Sequence, residues 1–220
     1  KGKVFWMRVY EIPEGGKNTK GRAMQNLINI EQDDKVKAFL VTQDLKDEEY
    51  INSHYVIMAT KKGQVKKTSL EQYSRPRTNG INAITIKEGD ELLEAKLTTG
   101  DSQVMLALKS GKSIRFEEAK TRPMGRTASG VRGITLQHDK DEVVGMVAVN
   151  DMESNILVVS EKGYGKRSKL EDYRITNRGG KGVKTLNISE KTGGLVAIKN
   201  VDDSNDLMII NKSGLTIRMA

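Results

Sequence analysis

Cysteine is absent from this 220-residue sequence, which excludes disulfides, thiolate zinc sites and cysteine nucleophiles and leaves the fold to stand on packing alone. Aromatic residues are scarce, at 5% with a single tryptophan, so a scaffold that docks proteins through exposed aromatic patches has little to work with. No stretch approaches the roughly 18 apolar residues needed to cross a bilayer. The opening KGKVFWMRVY also lacks the apolar core of a secretory signal, and a soluble, cytoplasmic protein without a membrane partner is expected. Helical periodicity is nearly missing: the best candidates, SLEQY from Ser69 and KLEDY from Lys169, are too short for more than a turn.

Positive charge and glycine are plentiful. Lysine and arginine number 37 against 29 aspartates and glutamates, a formal charge of +8, which favours a polyanionic partner such as nucleic acid. A motif recurs along the chain: an apolar strand, a tight turn ending in glycine, and a strand with basic residues. It reads YVIMATKKGQVKKTSL from Tyr55, QVMLALKSGKSIRFEE from Gln103 and NILVVSEKGYGKRSKL from Asn155, with shortened copies KGKVFWMRVYEI and DLMIINKSGLTIRMA at the two ends. The turn glycines Gly2, Gly63, Gly111, Gly163 and Gly214 set a period of about 50 residues. A second set, Gly21, Gly80, Gly130 and Gly182, lies in the basic loops GGKNTKGRA, RPRTNGI, MGRTASGVRG and TNRGGKGVK.

Short alternating strands bounded by Gly, Asp, Asn and Ser indicate antiparallel sheet. One small sheet per period cannot bury its own faces, and radial stacking solves that problem. The expected fold is all-β: a propeller-like pinwheel of repeated four-stranded antiparallel blades, forming a single domain over residues 1–220. The repeats are 1–43, 55–98, 103–150, 155–201 and a partial 206–220, with the acidic segment 44–54 an inserted surface loop.

Basic residues gather beside the hairpin turn and in the glycine loop of each repeat. Lys17, Lys20 and Arg22 occupy the first loop; Lys66, Lys67, Arg75 and Arg77 serve the second repeat; Lys112, Arg115, Arg122, Arg126 and Arg132 the third. Lys166, Arg167, Arg174, Arg178 and Lys181 serve the fourth, and Arg218 the last hairpin. Blades related by rotation would line these up as an arc, a shape suited to bent phosphate backbone. Loop glycines would let main chain approach a phosphate, and contacts of that kind position DNA without reading sequence. The alternative for such cations is a solvated face that maintains solubility.

These segments carry a family resemblance. VYEIPEGGKNTKGRAMQNLINIEQDDKV, the long run from MATKKGQVKKTSLEQYSRPRTNG to LALKSGKSIRFEE, MGRTASGVRGITL and GYGKRSKLEDY make the chain similar to the C-terminal domain of bacterial DNA gyrase A. The resemblance implies a β-pinwheel whose strands exchange between neighbouring blades and whose basic rim wraps duplex DNA largely independently of sequence. It also implies that the DNA-cleaving tyrosine, the magnesium ions and the ATP site lie outside this chain, so no cofactor and no catalytic residue are expected here. The implied partners are the rest of a dimeric gyrase A and gyrase B, in an A2B2 assembly on the cytoplasmic nucleoid. The family's seven-residue wrapping box is expected upstream of this chain. Its nearest echo is TNRGGKG, where Arg178, Gly179, Gly180, Lys181 and Gly182 match. The corresponding domain of topoisomerase IV shares such repeats and is the nearest alternative, with a protein-interaction scaffold behind it.

Other motifs point to structure rather than chemistry. GYGK at Gly163 resembles the end of a phosphate-binding loop but lacks its upstream glycine and following helix. His54 and His138 stand alone, without a metal-ligand partner. The acidic clusters EGDE (Glu88–Glu91) and DKDE (Asp139–Glu142) fall at equivalent positions and read as turns. Tyr50, Tyr73 and Tyr173 read as packing residues.

Overall fold

A computed structural model describes residues 1–16 and 18–219. The first repeat supplies β1 (Lys3–Val4) and two single 3-10 turns, and the second supplies β2 (Tyr55–Thr60), β3 (Gln64–Ser69), β4 (Ile81–Asn82) and β5 (Leu92–Thr98). The third holds β6 (Gln103–Leu108), β7 (Lys112–Glu117), β8 (Val131–Arg132) and β9 (Val143–Val149). The fourth holds β10 (Asn155–Ser160), β11 (Gly165–Lys169), β12 (Val183–Lys184) and β13 (Leu195–Val201), and β14 (Leu207–Ile210) with β15 (Thr216–Met219) forms a last hairpin.

Pairing is antiparallel, in sheets ordered β5-β2-β3-β8, β12-β7-β6-β9 and β11-β10-β13, with two-stranded pairs β1-β4 and β14-β15. Sheets and sequence repeats are therefore out of step. The outer strand of each four-stranded sheet belongs to the following repeat: β8 pairs with β3 and β12 with β7, just as β4 pairs with β1. The first three junctions, or seams, are stitched by main-chain hydrogen bonds.

Packing explains the unbroken apolar runs. Ile57 and Ala59 of β2 share a core cluster with Val104, Leu106 and Leu108 of β6. The alternate residues Met105 and Ala107 join Ile156 and Val158 of β10, together with Leu195 and Ile198. A central strand thus faces a different neighbour on each side, and period-two alternation yields two buried faces. Full burial of one such Leu or Ile contributes about 1.5–3 kcal/mol, so the stack holds each blade.

Two expectations change. Residues 44–54 are not a solvated loop: Glu48–Ser53 is a short helix, α1, whose N-cap Asp47 accepts hydrogen bonds from the amides of Glu49 and Tyr50. Its Tyr50 and Ile51 are buried with Leu70 and Tyr73, so the acidic residues mark a helix start over an apolar face. Among the described residues the first repeat contributes one strand rather than a blade of four.

Candidate nucleic-acid interface

The basic loops of the second, third and fourth repeats each begin at a 3-10 turn and cross a seam. The turns Leu70–Tyr73, Glu118–Lys120 and Leu170–Asp172 lead into loops that end at β4, β8 and β12, on the edge of the preceding sheet. Anchors recur from seam to seam. The Met124 amide donates to the Lys67 carbonyl at 2.8 Å, and the Thr176 amide donates to the Arg115 carbonyl at 2.8 Å. Thr85 receives the third-repeat loop, its hydroxyl donating to the Thr127 carbonyl at 2.7 Å, and Thr135 does the same for the Gly179 carbonyl at 2.7 Å. Tyr73 and Tyr173 are buried packing residues whose hydroxyls reach the Ala83 carbonyl and the Thr185 hydroxyl.

The loop glycines serve these seams. A Cβ on Gly130 (φ +92°) would lie 2.5 Å from the Val65 carbonyl oxygen, and one on Gly182 (φ +72°) 2.5 Å from that of Ser113. The close approach is to the neighbouring blade's backbone, which corrects the expectation that these two positions make room for a phosphate.

Lys20, Arg22, Arg75, Arg77, Arg122, Arg132, Lys166, Arg174 and Lys181 are exposed, and Arg126 is half-buried. Among the described residues none of these ten has a carboxylate within 4.0 Å. Lys120, which is not among the predicted cations, is exposed in the same way, and its carbonyl accepts from Arg178. Other predicted cations are engaged. Lys112 donates to Gln137 Oε1 at 2.7 Å, Arg167 pairs with Asp203 at 2.7 Å, and Arg218 pairs with Asp206. Arg178 spends its guanidinium on the Lys120 and Arg132 carbonyls, each at 3.1 Å, so the box-like loop Arg178–Gly182 is strapped to the third repeat. Lys17 lies outside the described residues.

Lys66, Lys67 and Arg115 point inward, contrary to the expectation that they touch DNA. Lys66 is 0% exposed and donates to the Ala83 and Arg126 carbonyls. Burial, and then the charge of Arg126, lowers its pKa from 10.5 to about 8. Lys67, 4% exposed, lies 3.5 Å from the fully buried carboxylate of Glu118 and over the Tyr55 ring. Arg115, 7% exposed, donates to the Leu170 and Tyr173 carbonyls at 2.7 and 2.8 Å and to Gln103. Desolvation lowers its pKa too. The cause is the strand: β3 and β7 lie inside four-stranded sheets with a blade on either face, so a side chain four residues after the turn glycine meets the next repeat's 3-10 turn. Trp6 holds that position in the first repeat and donates to the Tyr73 carbonyl at 3.0 Å. A tryptophan standing where others carry Lys and Arg was the available signal, as was Glu118 at the place of Leu70 and Leu170.

Another set of cations is paired. Lys37 meets Glu91 at 3.0 Å, Lys61 meets Glu91 at 3.7 Å and Glu142 at 3.5 Å, and Lys109 meets Glu161 at 3.4 Å. The neighbouring acidic clusters form turns: Asp90 accepts from the Lys62 amide at 2.9 Å, and Asp141 from the Ser110 amide and hydroxyl. GYGK runs from the β10–β11 hairpin turn into the start of β11. The His54 ring lies tilted against that of Tyr50, with centroids 4.2 Å apart.

Offset sheets, glycines packed into seams, and basic loops bridging one blade to the next define a β-propeller of the strand-exchanging, pinwheel kind. The family model for the DNA gyrase C-terminal domain, beta-propeller, matches residues 1–43, 54–99, 104–150 and 154–202, and the chain belongs to that family. DNA gyrase A of Staphylococcus epidermidis is 43% identical over all 220 residues, and that of Staphylococcus aureus 42%. The chain spans 24% of the length of each. Among solved structures, the C-terminal domain of DNA topoisomerase IV has a TM-score of 0.86 at 23% identity, covering 100% of this chain and 67% of that one. The DNA gyrase A C-terminal domain has 0.81 at 23%, covering 99% and 68%. At that identity the likeness speaks for the fold.

Proposed function

We propose that the chain is a non-catalytic module that binds duplex DNA along its seam loops and bends it, presenting it to the cleavage core of a gyrase for ATP-dependent negative supercoiling. One observation carries this reading: cations without carboxylate partners among the described residues recur in the loop at every seam, whereas Lys37, Lys61 and Lys109 are neutralised by glutamates. Solubility alone gives no reason for that division. Arginine forks spaced one blade apart suit successive phosphates on one face of a curved duplex and carry no base readout.

Bending 20–30 base pairs by 40–90° costs on the order of 1–6 kcal/mol, so several seams must share the load. The reading places strand cleavage, magnesium and ATP in other parts of a gyrase, with a second gyrase A and gyrase B as partners in an A2B2 assembly on the cytoplasmic nucleoid. The 43% identity to a gyrase A over the whole chain supports it. The test is topological: bind the chain to nicked plasmid, ligate, remove protein and read the linking number. Trapped positive supercoils are expected, and an unchanged linking number would contradict wrapping.

A further inference from the structure

Arg126 and Arg178 occupy equivalent places in their loops, five residues after Thr121 and Tyr173, yet they behave differently. Arg178 straps its own loop down, its guanidinium tied to two carbonyls of the third repeat. The loop of Arg126 is held from below: the Lys66 ammonium reaches out of β3 to the Arg126 carbonyl, while its second acceptor, Ala83, belongs to the second repeat. The exchange follows from one residue. Three positions after the turn glycine stands Lys66 in the second repeat and Ile114 in the third, and an isoleucine cannot hold a carbonyl. Gly180 lies over Ile114 instead, a Cβ there falling 3.5 Å from its Cδ1.

We propose that Lys66 is a positioning residue for DNA binding: by gripping the Arg126 carbonyl it takes over the strapping that Arg178 does for itself and leaves the Arg126 guanidinium free for a phosphate. The assignment rests on the DNA-binding reading above. Lys66 touches no DNA in this account. It is fully enclosed, has no carboxylate partner among the described residues, and spends its donors on two carbonyls from different repeats.

The test is a pair of double-mutant cycles on affinity for a 40-base-pair duplex. Lys66→Met and Arg126→Gln should each weaken binding roughly fivefold, and the double variant should bind no more weakly than Arg126→Gln. Lys66→Met combined with Arg174→Gln, at the third seam, should instead be additive. Additivity in the first cycle, or equal coupling in both, overturns the assignment, since a general loss of structure would affect both alike. Lysine acetylation of the unmodified protein provides a second measurement should Lys66→Met fail to fold. Lys66 should stay unreactive with and without DNA, while Lys20 and Lys181 lose reactivity when DNA binds. A Lys66 that reacts freely and is protected by DNA would contradict the proposal. Failure of the unmodified chain to bind duplex overturns both this assignment and the reading beneath it.

Discussion

The seam between the second and third repeats and the seam between the third and fourth share one geometry and differ in chemistry. At the first of these, Lys67 meets a buried carboxylate, Glu118; at the other, Arg115 meets two main-chain carbonyls. Glu118 stands where the neighbouring turns carry Leu70 and Leu170, and its oxygens also accept from Thr98 and the Ser102 amide. Position in the repeat therefore decides that a donor reaches across, and the local partner decides whether it needs a counter-charge. Charge in this protein has two uses, an inward one that joins blades and an outward one available to DNA.

The largest expected effect comes from breaking the ionic seam. Glu118→Leu leaves Lys67 buried without its partner and should destabilise the fold by about 3–5 kcal/mol, while adding Lys67→Met should restore most of that. Urea unfolding of both variants measures it. A double variant no more stable than Glu118→Leu would show that the pair is not what joins these blades.

Lys66 supplies the pH dependence. Its pKa falls from 10.5 to about 8 on folding, so between those values the unfolded chain holds a proton that the folded chain lacks. Stability should rise with pH across that window, by about 3 kcal/mol relative to Lys66→Met. Parallel stability curves for the two proteins would contradict the buried position.

Smaller effects separate seam glycines from open ones. Gly130→Ala meets the Val65 carbonyl and should cost about 2 kcal/mol. Gly21→Ala, also at positive φ but with nothing within 4 Å, should cost about 1 kcal/mol. Equal shifts in Tm would remove the packing argument.

Much of this design was legible from residues. The glycine period located the blades because Gly2, Gly63 and Gly111 lie against the following repeat's backbone and Gly80, Gly130 and Gly182 against the preceding one's, and SLEQY and KLEDY read correctly as single turns. Strand exchange came with the family resemblance, since nothing local tells Ile81–Asn82 which sheet to join. The direction of the strand cations was hidden: alternation separates two faces, and in β3 and β7 neighbouring blades cover both. In the acidic segment, charges at a helix start concealed Tyr50 and Ile51. The loop arginines Arg75, Arg77, Arg122 and Arg174 were readable as exposed because loops that cross a seam keep one side in water.

The division between inward and outward charge is tested most directly by the salt dependence of duplex affinity. The unmodified chain should lose about 10³–10⁵-fold in affinity between 50 and 200 mM salt if roughly 6–10 phosphates are neutralised. Replacing Arg75, Arg122 and Arg174 together by glutamine should lower the slope of log K against log salt by roughly 2.7, with urea unfolding unchanged. An unchanged slope in that triple variant, or affinity indifferent to salt in the unmodified chain, would contradict the account.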